Sequence, residues 1–261
     1  MSQRFSKELR RKLLTIYGRN AVKEALADPS LDCRALHLAH SNRASAIVDE
    51  IAALAQRRDV TILEHDRDAL ARISRNKKQD QGVALDVYCP RLGTLDNYLD
   101  TLVKEQPSHL IALDGVANPQ NFGMCIRSIT AAGANGLLLA ASGNPALGSL
   151  VMKASAGSAF RAPLLRCHSI LTALDTLTQV GFQLYRLGAA SSQNLMAESF
   201  SPAPRAIFVL GSETDGVSPE VMSRSGHDLS IPMENHVESL NVAVSASVLA
   251  FELKRRRDMQ T

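Results

Sequence analysis

The feature that most constrains the fold is an alternation running through the whole chain. Short apolar runs recur at residues 36–39, 60–63, 83–87, 109–114, 136–141, 182–187, 206–210 and 229–231, with helix-patterned stretches between them. Short apolar strands that alternate with helices pair in parallel, so the pattern predicts an α/β protein with a mostly parallel sheet. Helical spacing is clear over 21–26 and over 46–57, where positions 47, 48, 51, 54 and 55 share an apolar face. A last helix is expected over 240–256. Its first half is apolar nearly all round and is expected to be buried. Its final turn, Lys254-Arg255-Arg256-Arg257, places cations where a helix C-terminus favours them.

A length of 261 residues accommodates one large domain or two small ones. The composition changes near 89–107. Cys89-Pro90-Arg91-Leu92-Gly93 closes one strand there, and Gln106-Pro107 closes a polar helical stretch. The expected division is a small α/β domain over 1–90, a linker over 91–107 and a larger domain over 108–261. Hydrophobic residues at 45% and charged residues at 21% exclude wholesale disorder. No run approaches 18 apolar residues, so no membrane span or membrane partner is expected. Residues 1–5 lack an apolar signal core, which makes a cytoplasmic location the expectation. Cys33, Cys89, Cys125 and Cys167 are too scattered for a metal motif and are expected to be reduced thiols, with no metal bound.

The net charge of +3 is mild, but the cations are clustered. Arg4, Lys7, Arg10, Arg11, Lys12 and Arg19 face one acid, Glu8, and a second group is Arg72, Arg75, Lys77 and Lys78. Together with 254–257, such groups attract phosphate backbones or simply solvate helix ends. The 4% aromatic content, without tryptophan, argues against a base-stacking surface.

Three segments depart from the plain α/β pattern. In the first, a strand ends at Asp114. A loop then runs through Gly115 and Asn118 to Pro119, and a helix follows that carries Asn121, Gly123 and Arg127. Ligands of open α/β sheets bind at such carboxyl ends. Arg127, read as about one turn into the helix, is expected to reach back toward the loop as a phosphate or ribose ligand. In the second, strand 206–210 runs into Gly211-Ser212-Glu213, with Ser218 and Pro219 opening a helix. In the third, Ile231-Pro232-Met233 leads through a polar loop to Ser239, Leu240 and Asn241 at the start of the last helix. Each segment read alone is also a turn or a cap. No GxGxxG, GxxxxGK[ST] or GxSxG is present, and His168 and His236 read as surface or satisfied histidines.

Taken together, NPQNFGMCIRS at 118–128, LGSETDG at 210–216 and IPMENHVESLNVAVS at 231–245 resemble the three motifs of the SpoU (TrmH-type) RNA 2'-O-ribose methyltransferases of the SPOUT class. The resemblance covers 108–257, and Lys153–Gly157 is similar to the family's small-residue segment between motifs. Residues 16–22 and 81–84 resemble the family's substrate-binding domain, whose fold is that of kink-turn-binding ribosomal proteins. The resemblance implies a deep trefoil knot around the sheet and a homodimer that uses S-adenosyl-L-methionine. It implies that Gly211, Ile231, Met233, Ser239 and Leu240 bind that cofactor, and that Asn121, Arg127, Glu213 and Asn241 form the catalytic group. Structured RNA, ribosomal RNA before transfer RNA, is the implied substrate. An RNA-binding or assembly factor without catalysis is the alternative of a different class. Three positions depart from the common pattern: Ser128, Ala243 and Asn235, the last standing where many members have glycine. Asparagine is the residue after glycine that best tolerates the left-handed conformation.

Overall fold

The structure, a computed structural model, describes residues 6–42, 45–103, 106–188 and 193–259. Arg4 of the first basic cluster lies outside them. The first part of the chain runs α1 (Lys7–Arg11), β1 (Leu13–Tyr17), α2 (Arg19–Ala27), β2 (Asp32–Ala39), α3 (Ala46–Arg57), β3 (Thr61–His65), α4 (Arg67–Ser74) and β4 (Val83–Tyr88). Its four strands form a sheet in the order β1-β4-β2-β3, with β2 and β3 parallel and the other pairs antiparallel. Ile16, Leu36 and Leu85 point to the face covered by α2 and α3. Tyr17, Ala39 and Ala84 point to the other face, where Leu70 of α4 covers them.

The remainder runs β5 (Gly93–Thr94), α5 (Leu95–Asp100), β6 (Ser108–Leu113), α6 (Pro119–Ala131), β7 (Gly136–Ala140), α7 (Ser149–Ala154), β8 (Leu164–Cys167), α8 (Ile170–Gln179), β9 (Gln183–Leu187), β10 (Gln193–Asn194), β11 (Arg205–Leu210), α9 (Pro219–Met222), β12 (His227–Ser230) and α10 (Val242–Asp258). These strands build an eight-stranded sheet, β10-β12-β9-β11-β6-β7-β8-β5, in which every pairing is parallel. The expected α/β architecture with a mostly parallel sheet is present. Residues 91–107 carry an edge strand and a helix of this sheet.

Both faces of the large sheet are covered, which explains its nearly continuous apolar runs. Ile111, Leu113 and Phe208 meet Phe122, Ile126 and Leu249 of α6 and α10 on one side. Leu110, Ala112 and Val209 meet Leu174 and Leu177 of α8 on the other. Glycine permits the close approach of α6 to α7. A Cβ on Gly123 would lie 2.6 Å from the Ala154 Cβ and 2.7 Å from the Val151 carbonyl oxygen. The last helix starts two residues later than expected, and its first half is not buried all round: Val244 is 48% exposed.

The basic residues at the chain's end act chiefly as tethers. Arg257 donates to the Ala132 and Gly133 carbonyls at the C-terminus of α6, at 2.9 and 3.0 Å. Arg256 donates to the carbonyls of Leu195, Ala197 and Phe200. Arg255 pairs with Glu252 and Lys254 with Asp258. These groups complete exposed helix ends and loops, so phosphate attraction is not needed to explain them.

Gly123→Ala should destabilise the protein by about 1–3 kcal/mol through overpacking between α6 and α7. Urea unfolding followed by circular dichroism measures this, and an unchanged midpoint would show that the two helices separate freely.

Candidate active site

The loops leaving β6 and β11 lie side by side, because those strands pair in register from Ser108–Arg205 to Leu113–Leu210. Strand order turns in opposite directions on either side of this pair, which is where an open α/β sheet leaves a crevice. The Asp114 N–H donates to the Leu210 carbonyl at 2.8 Å, and its carboxylate accepts the Ser218 N–H at 2.8 Å. Asn118 caps α6, accepting from the N–H groups of Gln120 and Asn121, and Pro119 occupies the first helical position. Loop 211–216 closes on itself through paired backbone bonds between Ser212 and Gly216, 2.9 and 3.0 Å. A Cβ on Gly211 would fall 1.9 Å from the Gly216 carbonyl carbon, so only glycine allows this closure. Asn241 caps α10, accepting the Ala243 N–H at 2.9 Å.

Three of the four expected catalytic residues meet. Glu213 Oε1 accepts from Asn121 Nδ2 at 2.6 Å, from Asn241 Nδ2, and from the Val242 N–H at 3.4 Å. Asn241 Nδ2 also lies 3.4 Å from Asn121 Oδ1. Asn121 is buried, whereas Glu213 and Asn241 are exposed at the mouth of the site. The fourth residue does not join them. Arg127 is exposed and makes no hydrogen bond or ion pair with the described residues. The reason is helical geometry. The helix starts at Pro119, so Arg127 lies about 12 Å along it and about 120° around the axis from Asn121. It shares its face with Met124, which is 41% exposed.

All five expected cofactor-binding residues line one cavity of about 350 Å³. Gly211 and the rest of its loop form one wall. Ile231 and Met233 form a second, and Glu238, Ser239 and Leu240 a third, with Leu210 and also Leu187, Gly188, Val242 and Ser245 in the lining. Sequence reading did not single out these last four. Leu187-Gly188, a glycine directly after a strand's carboxyl end, was the available signal. The polar turn after β12 is possible because Asn235 and His236 both take positive φ, 56° and 60°, the conformation that the asparagine at 235 was expected to tolerate. Ser128 bonds Ser247 at 2.6 Å, fastening α6 to α10, and Ala243 is buried.

Two buried thiols are poor nucleophiles. Burial, with a smaller contribution from nearby Glu213, pushes the Cys125 thiol up to about 12. Burial does the same to Cys89, also to about 12. His168 and His236 are exposed. Among the described residues, no three His, Cys, Asp or Glu side chains are placed to hold a metal ion.

Comparison with known proteins places this geometry. The sequence model of the SpoU rRNA Methylase family matches residues 108–251, and that of the RNA 2'-O ribose methyltransferase substrate binding domain matches residues 15–91. The chain belongs to the SpoU rRNA Methylase family. An uncharacterized tRNA/rRNA methyltransferase of Mycobacterium avium (strain 104) is 30% identical over 243 residues, covering 93% of this chain and 77% of that protein. A TrmH-family protein from Porphyromonas gingivalis has a solved structure that aligns with TM-score 0.60 and 26% identity, over 96% of this chain and 94% of that one. An AdoMet-bound rRNA methyltransferase from Sinorhizobium meliloti aligns with TM-score 0.61 and 24% identity, over 95% and 88%. The last comparison shows the shared fold. The two-domain SpoU architecture and RNA methyl transfer are therefore the frame for this site.

Because the thiolate is the reactive form, Cys89 and Cys125 should be alkylated at pH 8 at least roughly a thousandfold more slowly in the folded protein than in urea. Peptide mapping after iodoacetamide treatment checks this. Rapid alkylation of Cys125 with loss of activity would restore it as a candidate nucleophile.

Proposed function

We propose that the protein methylates a ribose 2'-OH of structured ribosomal RNA in the cytoplasm, using S-adenosylmethionine, and that it does so as a homodimer with a trefoil-knotted chain path. The observation that carries the reading is the meeting of Asn121, Glu213 and Asn241 beside the cavity of loop 211–216. The cavity fits the cofactor in size and chemistry. Its volume lies within the range of small-molecule sites. Leu187, Leu210, Ile231, Leu240 and Val242 offer apolar contact, and the backbone of Gly211 forms part of the wall, its α-carbon packed against Gly216. The enclosure of one cavity by loop 211–216, segment 231–240 and the start of α10 supports the knotted path that the family resemblance implies.

S-adenosylmethionine supplies an electrophilic methyl group on a sulfonium centre. Positive charge disappears from that centre during transfer, so the apolar walls favour the transition state over the bound ground state. The 2'-OH is a weak nucleophile whose proton passes to solvent at the exposed mouth of the site as the new C–O bond forms and the methyl–sulfur bond breaks. Arg127 cannot take that proton near pH 7, since its guanidinium stays protonated. It serves instead as a charged donor that holds the RNA phosphate and orients the hydroxyl. Asn121 and Asn241, fixed by the Glu213 carboxylate, form the polar floor against which the ribose is placed.

The exposure of Arg127 supports a shared site. On α6, Met124 and Arg127 lie one turn apart. On α10, Val244, Val248 and Phe251 form a stripe of matching spacing, with Val248 half-buried and the other two exposed. An exposed apolar stripe beside a functional arginine suits a two-fold interface, in which each copy presents Arg127 to its partner's cavity. The N-terminal domain is assigned to RNA recognition on its match to the family's substrate-binding domain, and ribosomal RNA is preferred because such domains read structured RNA by shape.

Incubation with labelled S-adenosylmethionine and unmodified ribosomal or transfer RNA, followed by digestion to nucleosides, should yield a 2'-O-methyl nucleoside from ribosomal RNA. Arg127→Ala should lower the rate at least about a hundredfold while cofactor affinity holds. A methyl group found only on transfer RNA would move the substrate. No transfer to either RNA, with cofactor bound, would favour an assembly factor. Phe251→Asp should convert a dimer into monomers in light scattering and abolish transfer. A monomeric parent protein would remove the shared site.

A further inference from the structure

Besides the cavity at loop 211–216, a larger cavity of about 760 Å³ lies between the two domains. One wall is the face of the small sheet that α4 leaves uncovered. Thr15 donates to Asp86 at 2.6 Å, and His37 bonds Asp86 at 3.2 Å and His65 at 3.0 Å, so a polar chain crosses all four strands of that face. The opposite wall is the loop after β7, with Ala141, Asn144 and Ala146, and the end of β8. Four guanidinium groups surround the opening: Arg10, Arg72, Arg75 and Arg166.

Three of these arginines are exposed, and the guanidinium groups of Arg10, Arg72 and Arg75 donate no hydrogen bond to the described residues. Arg166 is held in place by the carbonyls of Arg11 and Leu13. Its pKa is lowered, first by burial and then by the charge of Arg75. Asp68, which interacts with Arg72, and Asp86 in the wall offset only part of this charge, and the remaining excess of cations favours an anion. The contrast with the chain's end is informative, because Arg255, Arg256 and Arg257 are all spent on carbonyls and carboxylates. The polar wall is equally unlike packing surface. The Asp86 carboxylate and the Thr15 hydroxyl oxygen still hold unused lone pairs, which can accept from the amino group of a base.

The cavity and the cofactor pocket share one edge of the large sheet. Ala140 and Cys167 end β7 and β8 beside the cavity, and Leu210 and Leu187 end β11 and β9 beside the pocket. Because these parallel strands sit about 4.8 Å apart, the two sites lie within a few nucleotides of each other along that edge. A duplex is too wide to enter a space of this volume, whereas an unpaired nucleotide fits.

We infer that the inter-domain cavity takes an unpaired nucleotide of the RNA, with its phosphodiesters on Arg10, Arg72 and Arg75 and its base against the Thr15–Asp86–His37 wall. The inference rests on the RNA reading above and adds a second contact to it.

The test measures anisotropy of a labelled twelve-nucleotide single-stranded RNA of mixed sequence, between 50 and 200 mM salt. The triple variant Arg10→Gln/Arg72→Gln/Arg75→Gln should bind at least tenfold more weakly. The slope of log affinity against log salt should become shallower by about 2, as expected for three lost phosphate contacts to a single strand. Ala146→Glu, which adds an anion on the opposite wall, should weaken binding several-fold, and Lys23→Glu on distant α2 should not. Cofactor affinity and thermal unfolding should stay unchanged throughout. Equal binding by parent and triple variant overturns the inference, as does a parent that does not bind the strand. Competition by a twelve-base-pair duplex as effective as that by the strand also overturns it, by placing the contact on the outer surface. Failure of the proposed reaction is read separately, from the absence of methyl transfer.

Discussion

One carboxylate oxygen holds this site together. Glu213 Oε1 accepts hydrogen bonds from Asn121, Asn241 and the backbone of Val242. These residues come from the start of α6, the loop after β11 and the start of α10. An ionised acceptor binds such donors more strongly than a neutral one. The same bonds occupy donors at the N-terminal ends of two helices, where negative charge is favoured. The closed loop 211–216 depends on this anchor at one end and on the Gly211–Gly216 approach at the other. The cavity wall is therefore set by two local requirements, one electrostatic and one steric.

The covering of the large sheet decides where polar groups can gather. With α6, α7 and α10 on one face and α5, α8 and α9 on the other, little polar surface is available except at the strand ends. Both cavities open at the carboxyl edge. The N-terminal domain reaches that edge through direct contacts, with Arg166 donating to the carbonyls of Arg11 and Leu13 and Arg161 to Ser30. A recognition module seated on the edge that carries the reactive pocket can hold an RNA strand in one register while chemistry proceeds on it.

Sequence reading found β2, β3, β4, β6, β7, β9, β11 and β12, and it was surest at the apolar runs of β6, β7 and β11. Full burial on both faces writes itself into composition. The missed strands have a local reason. β1 follows Arg10-Arg11-Lys12 and carries Thr15, because its outer face lines a polar cavity. β8 has four residues, one of which is Arg166. The site was less legible than the fold. Asn121, Glu213 and Asn241 are far apart in the chain, and each looks like an ordinary cap or turn residue; Asn241 is indeed a cap. Only the resemblance of three motifs in order joined them. Counting turns would have corrected Arg127, since six residues along a helix turn it away from Asn121. The basic tail was open to two readings, and the structure shows it occupied by carbonyls and carboxylates.

The position of Arg127 is the most informative departure, because it separates folding from catalysis. Nothing in the protomer needs that guanidinium. It makes no hydrogen bond or ion pair with the described residues, and Met124, one turn before it, is apolar and exposed. A long cation beside Met124, Val244 and Phe251 would be costly on a permanently solvated surface only for its neighbours, which leave apolar area in water. In the proposed homodimer a second copy would cover the same stripe and receive the arginine at its own cavity. On this view α6 would serve two sites at once. Asn121 is fixed inward, where Glu213 of the same chain holds it, and Arg127 points outward to solvent. The 120° between them follows from six residues on a 3.6-residue helix. Arginine at 128 or 129 would be turned elsewhere, into the contact with Ser247 or into the buried position of Ile129.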